Sequence, residues 1–179
     1  MNTLRRWSVG IALFCAMILD GSLAWTFQKI LFHPNFGAAC WFTVVGITLM
    51  ALYNDLNKNN IWLALGIGVL ADMFYFGYLG VYTVAFPLLC YILQKVARFL
   101  PETFWFRLIV CLVSYLFVSF YVFMMYIIVG TQQPSFSSFL LSIVPSWIVC
   151  TLIYFGSYSF WIKLVDKHPF LERQRNYFL

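Results

Sequence analysis

The sequence predicts an all-α integral membrane protein with six transmembrane helices and both termini on the cytoplasmic side. Three observations point there. The 179 residues are 63% hydrophobic and 9% charged, with a mean hydropathy of +0.86, whereas soluble domains carry about 25% charge and about 45–50% apolar residues. Six apolar stretches are separated by short polar or glycine-containing breaks. The basic residues crowd one side of the membrane that this pattern implies, and cytoplasmic loops are the ones that carry excess Lys and Arg.

The first span covers residues 7–31, after Arg5 and Arg6, and ends at His33-Pro34-Asn35. Its start resembles a signal peptide, but the run is long, contains Asp20 and precedes further spans, so it reads as a retained helix. The second span, 38–53, stops at the polar segment from Asn54 to Asn60. The third, 61–76, turns at Gly77 and Gly80 into the fourth, 81–93, which ends at Gln94, Lys95 and Arg98, before Pro101. The fifth, 106–129, precedes an uncharged loop containing Pro134, and the sixth, 139–164, leads into a polar tail at 165–179. Crossing the hydrocarbon core takes about 20 helical residues. The second to fourth spans are shorter. They either cross a thinned bilayer or shelter behind longer neighbours, and a re-entrant hairpin is the rival for the third and fourth. The loops are too short for a separate soluble domain, so the chain reads as one polytopic membrane domain.

With the N-terminus inside, one side holds Arg5, Arg6, Lys58, Lys95, Arg98, Arg107, Lys163, Lys167, Arg173 and Arg175, and the other only Lys29. The net charge of +5 therefore orients the chain and does not signal nucleic-acid binding. In the tail, Arg173 and Arg175 mix with Phe170, Leu171, Tyr177, Phe178 and Leu179, a composition suited either to the anionic inner leaflet or to a disordered or partner-binding tail. Aromatics reach 21%, which fits interfacial belts and lipid-facing surfaces. Cys15, Cys40, Cys90, Cys111 and Cys150 all lie within apolar stretches and read as small buried hydrophobes. His33 and His168 have no acidic or Cys neighbours at metal-ligand spacing. No nucleophile elbow, phosphate loop or zinc-protease signature occurs. No catalytic residue, metal site or cofactor is expected.

Two acids stand out. Asp20 and Asp72 fall inside otherwise apolar spans, where a carboxylate costs at least about 2.5–3.5 kcal/mol on insertion scales. Each closes a stripe of small residues four apart, on one helix face: Ala12, Ala16, Asp20 and Ala24 on the first span, Ala64, Gly68 and Asp72 on the third. Such ridges permit close helix contact in lipid. Asp20 is about 20 Å along its helix from Trp7, and Asp72 about 17 Å from Ile61, so the carboxyls lie at similar depth. If the two ridges pack on each other, the pair can share a proton. Three roles are open: hydrogen bonding that locks the bundle, a partner or ligand site, and proton relay. No basic residue is placed to neutralise either acid within the membrane.

The segments Asp20-Gly21-Ser22-Leu23, Gly66 to Gly80 and Phe86-Pro87 followed by Lys95 resemble the rod shape-determining protein MreD family. The Gly66–Pro87 block is the most specific: a Gly-rich helix, an Asp, an aromatic pair and a Gly-containing turn into the next helix. Beyond Leu100 the resemblance rests on hydropathy and length. It implies a multi-pass protein of the bacterial cytoplasmic membrane, without catalytic activity or cofactor, that binds MreC and through it couples to MreB and peptidoglycan synthases. It also implies a fold similar to the six-helix substrate-binding subunits of energy-coupling-factor transporters, and membrane lipids as surroundings. The residues expected to lock the bundle or contact a partner are Asp20, Gly21, Gly68, Asp72, Gly77, Gly80 and Pro87, with Ala12, Ala16, Ala24 and Ala64 as the packing stripe. The alternative is a vitamin-type substrate-binding subunit of a transporter, against which the sparse, uncharged outer loops argue.

Overall fold

The computed structural model describes residues 2–26, 32–33, 36–37, 41–54, 57–99, 103–130 and 136–167. Among the described residues, six helices occupy the six apolar stretches: α1 Asn2–Thr26, α2 Phe42–Tyr53, α3 Asn59–Tyr75, α4 Tyr82–Ala97, α5 Phe104–Val129 and α6 Phe136–Lys167. Between α1 and α2, two-residue strands β1 (Phe32–His33) and β2 (Phe36–Gly37) pair antiparallel, Phe32 opposite Gly37 and His33 opposite Phe36, with β2 against α6. Lys29, Cys40, His168 and the tail beyond Lys167 lie outside the described residues.

Among the described residues, three stretches are long and apolar enough to cross a membrane: Trp7–Thr26, Phe104–Val129 and Phe136–Val165. The short helix α2 has another place. Thr43 to Ala51 are all buried, on every face, and α2 touches α1, α3, α4, α5 and α6. At 12 residues it rises about 18 Å. It is a central post, and its uniform apolarity is the signature of a helix buried all round. Gly46 lets the post meet its neighbours, since a Cβ there would lie 2.5 Å from the Trp161 ring of α6 and 2.9 Å from Leu13 of α1. Trp161, Tyr115 and Tyr154 are the largest fully buried side chains around it.

The helix α3 packs most extensively on α4, forming a hairpin. At the end of the bundle where α2 gives way to α3, polar side chains stitch the connection. Gln94 Nε2 donates to the Asn57 carbonyl at 3.0 Å, Asn60 Nδ2 to the Asn54 carbonyl at 3.0 Å, and the Arg107 guanidinium lies 4.8 Å over the Tyr53 ring. Within the helices Thr48, Ser114, Thr151 and Ser157 hydroxyls donate to carbonyls four residues back, and Ser142 to one three back. They satisfy themselves inside apolar surroundings.

Candidate functional site

A helix leaves its first N–H groups without intrahelical partners, and in lipid each such group costs several kcal/mol. The two intramembrane acids meet this need at the starts of α2 and α4. Asp20, 4% exposed on α1, accepts hydrogen bonds from the Phe42 N–H at Oδ1 and, at Oδ2, from the Thr43 N–H at 3.0 Å and the Thr43 hydroxyl at 2.7 Å. Phe42 and Thr43 are the first two residues of α2. The N–H of the preceding Trp41 donates to Tyr115 Oη of α5 at 3.1 Å.

Asp72, fully buried on α3, serves α4 in the same way. Its Oδ1 accepts from the Tyr82 N–H at 2.6 Å, and its Oδ2 accepts from the Gly80 N–H at 2.8 Å, the Thr83 N–H at 3.0 Å and the Thr83 hydroxyl at 2.7 Å. Tyr82 and Thr83 open α4. The Gly80 carbonyl accepts from Tyr121 Oη of α5 at 3.2 Å. Each acid therefore acts as a helix N-cap supplied from another helix, with a carboxylate at the positive end of the dipole, and α5 adds a tyrosine to each cap. The two stations touch: the Trp41 and Tyr82 rings meet edge-on at 6.5 Å.

The α3–α4 turn hangs on Asp72 from both sides. Its carbonyl accepts the closing N–H groups of α3, from Phe76 at 3.0 Å and Gly77 at 2.9 Å, while its carboxylate opens α4. Gly77 and Gly80 sit at φ +71° and +127°, a region that L side chains disfavour and glycine allows. Gly68, one turn before Asp72, lets the backbones touch: a Cβ there would lie 2.5 Å from the Tyr82 carbonyl oxygen and 2.9 Å from Thr83 Cα. Pro87 lies inside α4, where it removes the N–H that would otherwise bond the Thr83 carbonyl.

The ridge of α3 is turned toward α4 through Gly68, and that of α1 toward α2 through Asp20. Ala16 and Ala64 are buried, while Ala12 and Ala24 are partly exposed. Each carboxyl oxygen accepts instead from its own helix start. The helices α1 and α3 still meet near the acids, through the Tyr75 hydroxyl donating to the Met17 carbonyl at 2.7 Å, and a Cβ added at Gly21 would lie 3.5 Å from the Tyr75 ring.

The recipients of the caps, Phe42-Thr43 and Tyr82-Thr83, were not among the residues singled out from the sequence, nor were Tyr75, Tyr115 and Tyr121. A signal for the first four does exist: an aromatic residue followed by threonine opens the helix after each Asp-bearing one. Cys90, Cys111 and Cys150 are buried free thiols, whereas Cys15, read as buried, is an exposed free thiol on α1, and among the described residues no His, Cys, Asp or Glu cluster is arranged to hold a metal.

Fold and site together define a multi-pass helical membrane protein whose intramembrane acids cap internal helices. The family model described as rod shape-determining protein MreD matches residues 1–165 of the chain. The chain belongs to that family, and so to the proteins of the rod complex that determine cell shape. No curated protein and no solved structure matches it.

Proposed function

We propose that this protein is a non-enzymatic scaffold of the rod complex in the bacterial cytoplasmic membrane, binding the transmembrane helix of MreC and through it supporting peptidoglycan synthesis beside MreB. The fit of the MreD family model over residues 1–165 carries this reading. The engagement of both carboxylates inside the fold supports it, because the intramembrane acids are spent on holding helices together. In this reading Asp20 and Asp72 with Gly21, Gly68, Gly77, Gly80 and Pro87 lock the bundle, so that its outer faces are rigid when a partner helix docks.

The same proposal has six crossings, both termini cytoplasmic, and a helix arrangement similar to the substrate-binding subunits of energy-coupling-factor transporters. The one-sided distribution of basic residues supports the orientation. Two measurements test the proposal. Tagged protein from membranes co-expressing MreC is expected to retain MreC and to release a version whose transmembrane segment is replaced by an unrelated apolar helix; equal retention of both overturns the helix-docking role. Thiols engineered at Asn2 and Asn176 are expected to label from the same side. Labelling from opposite sides overturns the topology.

A further inference from the structure

Near the acids α1 and α3 are joined through Tyr75 and Met17, but toward their N-terminal ends they part. The gap is a groove of about 510 Å³ lined by apolar side chains, among them Trp7, Ile11 and Phe14 of α1 and Trp62 and Leu70 of α3, with Gly66 at its floor. These are exposed: Trp62 by 72% and Trp7 by 51%. A Cβ added at Gly66 would meet nothing within 4 Å.

Two features say what fits. The first is length. From Trp7 to Phe14 or from Trp62 to Leu70 is about 10–12 Å along a helix, less than half of a hydrocarbon core about 30 Å thick. The Tyr75–Met17 contact closes the far end. A transmembrane helix runs the whole thickness and would need the groove to continue, whereas an acyl chain ends within its own leaflet. The second is charge. Lys58, exposed at the start of α3, precedes Trp62 by one turn. A basic residue at the mouth of an apolar cleft between membrane helices matches an anionic lipid headgroup. The nearest acid in the sequence on α3's side, Asp55, lies outside the described residues.

We propose that the groove between the N-terminal halves of α1 and α3 is a binding site for an anionic phospholipid of the phosphatidylglycerol type, its acyl chain along Gly66 and its phosphate at the basic end. The inference goes beyond the scaffold reading and does not depend on MreC.

The test is native mass spectrometry of the detergent-purified full chain, equilibrated with equal amounts of phosphatidylglycerol and phosphatidylcholine. One phosphatidylglycerol is expected to stay bound in preference to phosphatidylcholine. Lys58→Gln is expected to lower that preference about fivefold, the contribution of one basic residue at an anionic surface. Gly66→Leu fills the floor and is expected to abolish retention, while Gly156→Leu, on α6 at another glycine with open space around it, leaves it intact. Equal retention of the two lipids overturns the site. So does a Gly66→Leu variant that holds phosphatidylglycerol like wild type. If instead Gly66→Leu releases co-purified MreC, or changes the oligomeric state, with lipid retention unchanged, the groove docks protein and the proposal is wrong. Lys58→Gln lies on the surface and keeps the test decisive should Gly66→Leu not fold.

Discussion

The two capping stations solve one problem at different chain separations. Asp20 reaches residues 22 and 23 further along, across a connection that includes a small β-hairpin, while Asp72 reaches residues 8 to 11 further along, across a glycine turn. Both use the same recipe: a carboxylate, two successive helix N–H groups and a threonine hydroxyl. Separation in the chain is thus unimportant to the chemistry of the cap. It does decide how much else one acid can hold. The near station collects an extra bond from Gly80, closes α3 through the Asp72 carbonyl and packs backbone on backbone at Gly68. The far station holds only the start of α2, and relies on Tyr115 and Tyr75 to complete the joint.

Removing the acids should expose that difference most. Asp72→Ala strands the N–H groups of Gly80, Tyr82 and Thr83 at a dry helix end, and unsatisfied buried donors cost about 1–3 kcal/mol each. A destabilisation of at least about 3 kcal/mol is expected by equilibrium unfolding in detergent. Asp20→Ala strands the N–H groups of two residues and should cost less, at least about 2 kcal/mol on the same principle. Equal losses would show that the additional bonds at the near station contribute nothing.

Parts of this comparison were readable in advance. The acids announce themselves by the cost of a carboxylate in an apolar run, and the Ala64-Gly68-Asp72 spacing marks the face on which α3 approaches a neighbour. Which neighbour is not readable. The donors are backbone N–H groups, which every residue but proline owns, so the sequence does not mark the helix start that an acid will cap. Small-residue ridges at equal depth left a ridge-to-ridge contact of α1 and α3 open as one possibility, and the caps instead turn Asp20 to α2 and Gly68 to α4. The burial of α2 was equally hidden. Lipid and protein interiors are both apolar, so Thr43 to Ala51 would look the same facing either. The shortness of the stretch 38–53, below the about 20 residues needed to cross, was the available sign that it could stand sheltered behind longer neighbours.

Glycine substitutions sharpen the contrast at the next level. In Gly68→Ala the new methyl meets the backbone of Tyr82 and Thr83, which cannot move aside like a flexible side chain, so α3 and α4 must separate, at about 1–3 kcal/mol. Gly21→Ala places its methyl 3.5 Å from the Tyr75 ring, an ordinary contact, and is expected to stay within about 0.5 kcal/mol of wild type. Thermal melting of the two variants side by side measures the difference. A Gly21→Ala loss as large as that of Gly68→Ala would mean that the α1–α3 contact is as tight as the hairpin.

The threonines offer the most symmetrical comparison. Thr43 and Thr83 each give a hydroxyl to a carboxylate oxygen at 2.7 Å and an N–H to the same oxygen at 3.0 Å. Valine keeps the shape and the N–H and removes only the hydroxyl. A side-chain hydrogen bond contributes about 0.5–1.5 kcal/mol net, and the carboxyl group keeps its other donors after either change, so a loss of about 1 kcal/mol is expected for both Thr43→Val and Thr83→Val. Because the residues belong to separate stations with separate acceptors, the double variant should lose the sum of the two, as independent sites do. A double loss that departs from the sum by more than about 0.5 kcal/mol would show that the stations, which touch through Trp41 and Tyr82, are energetically one unit.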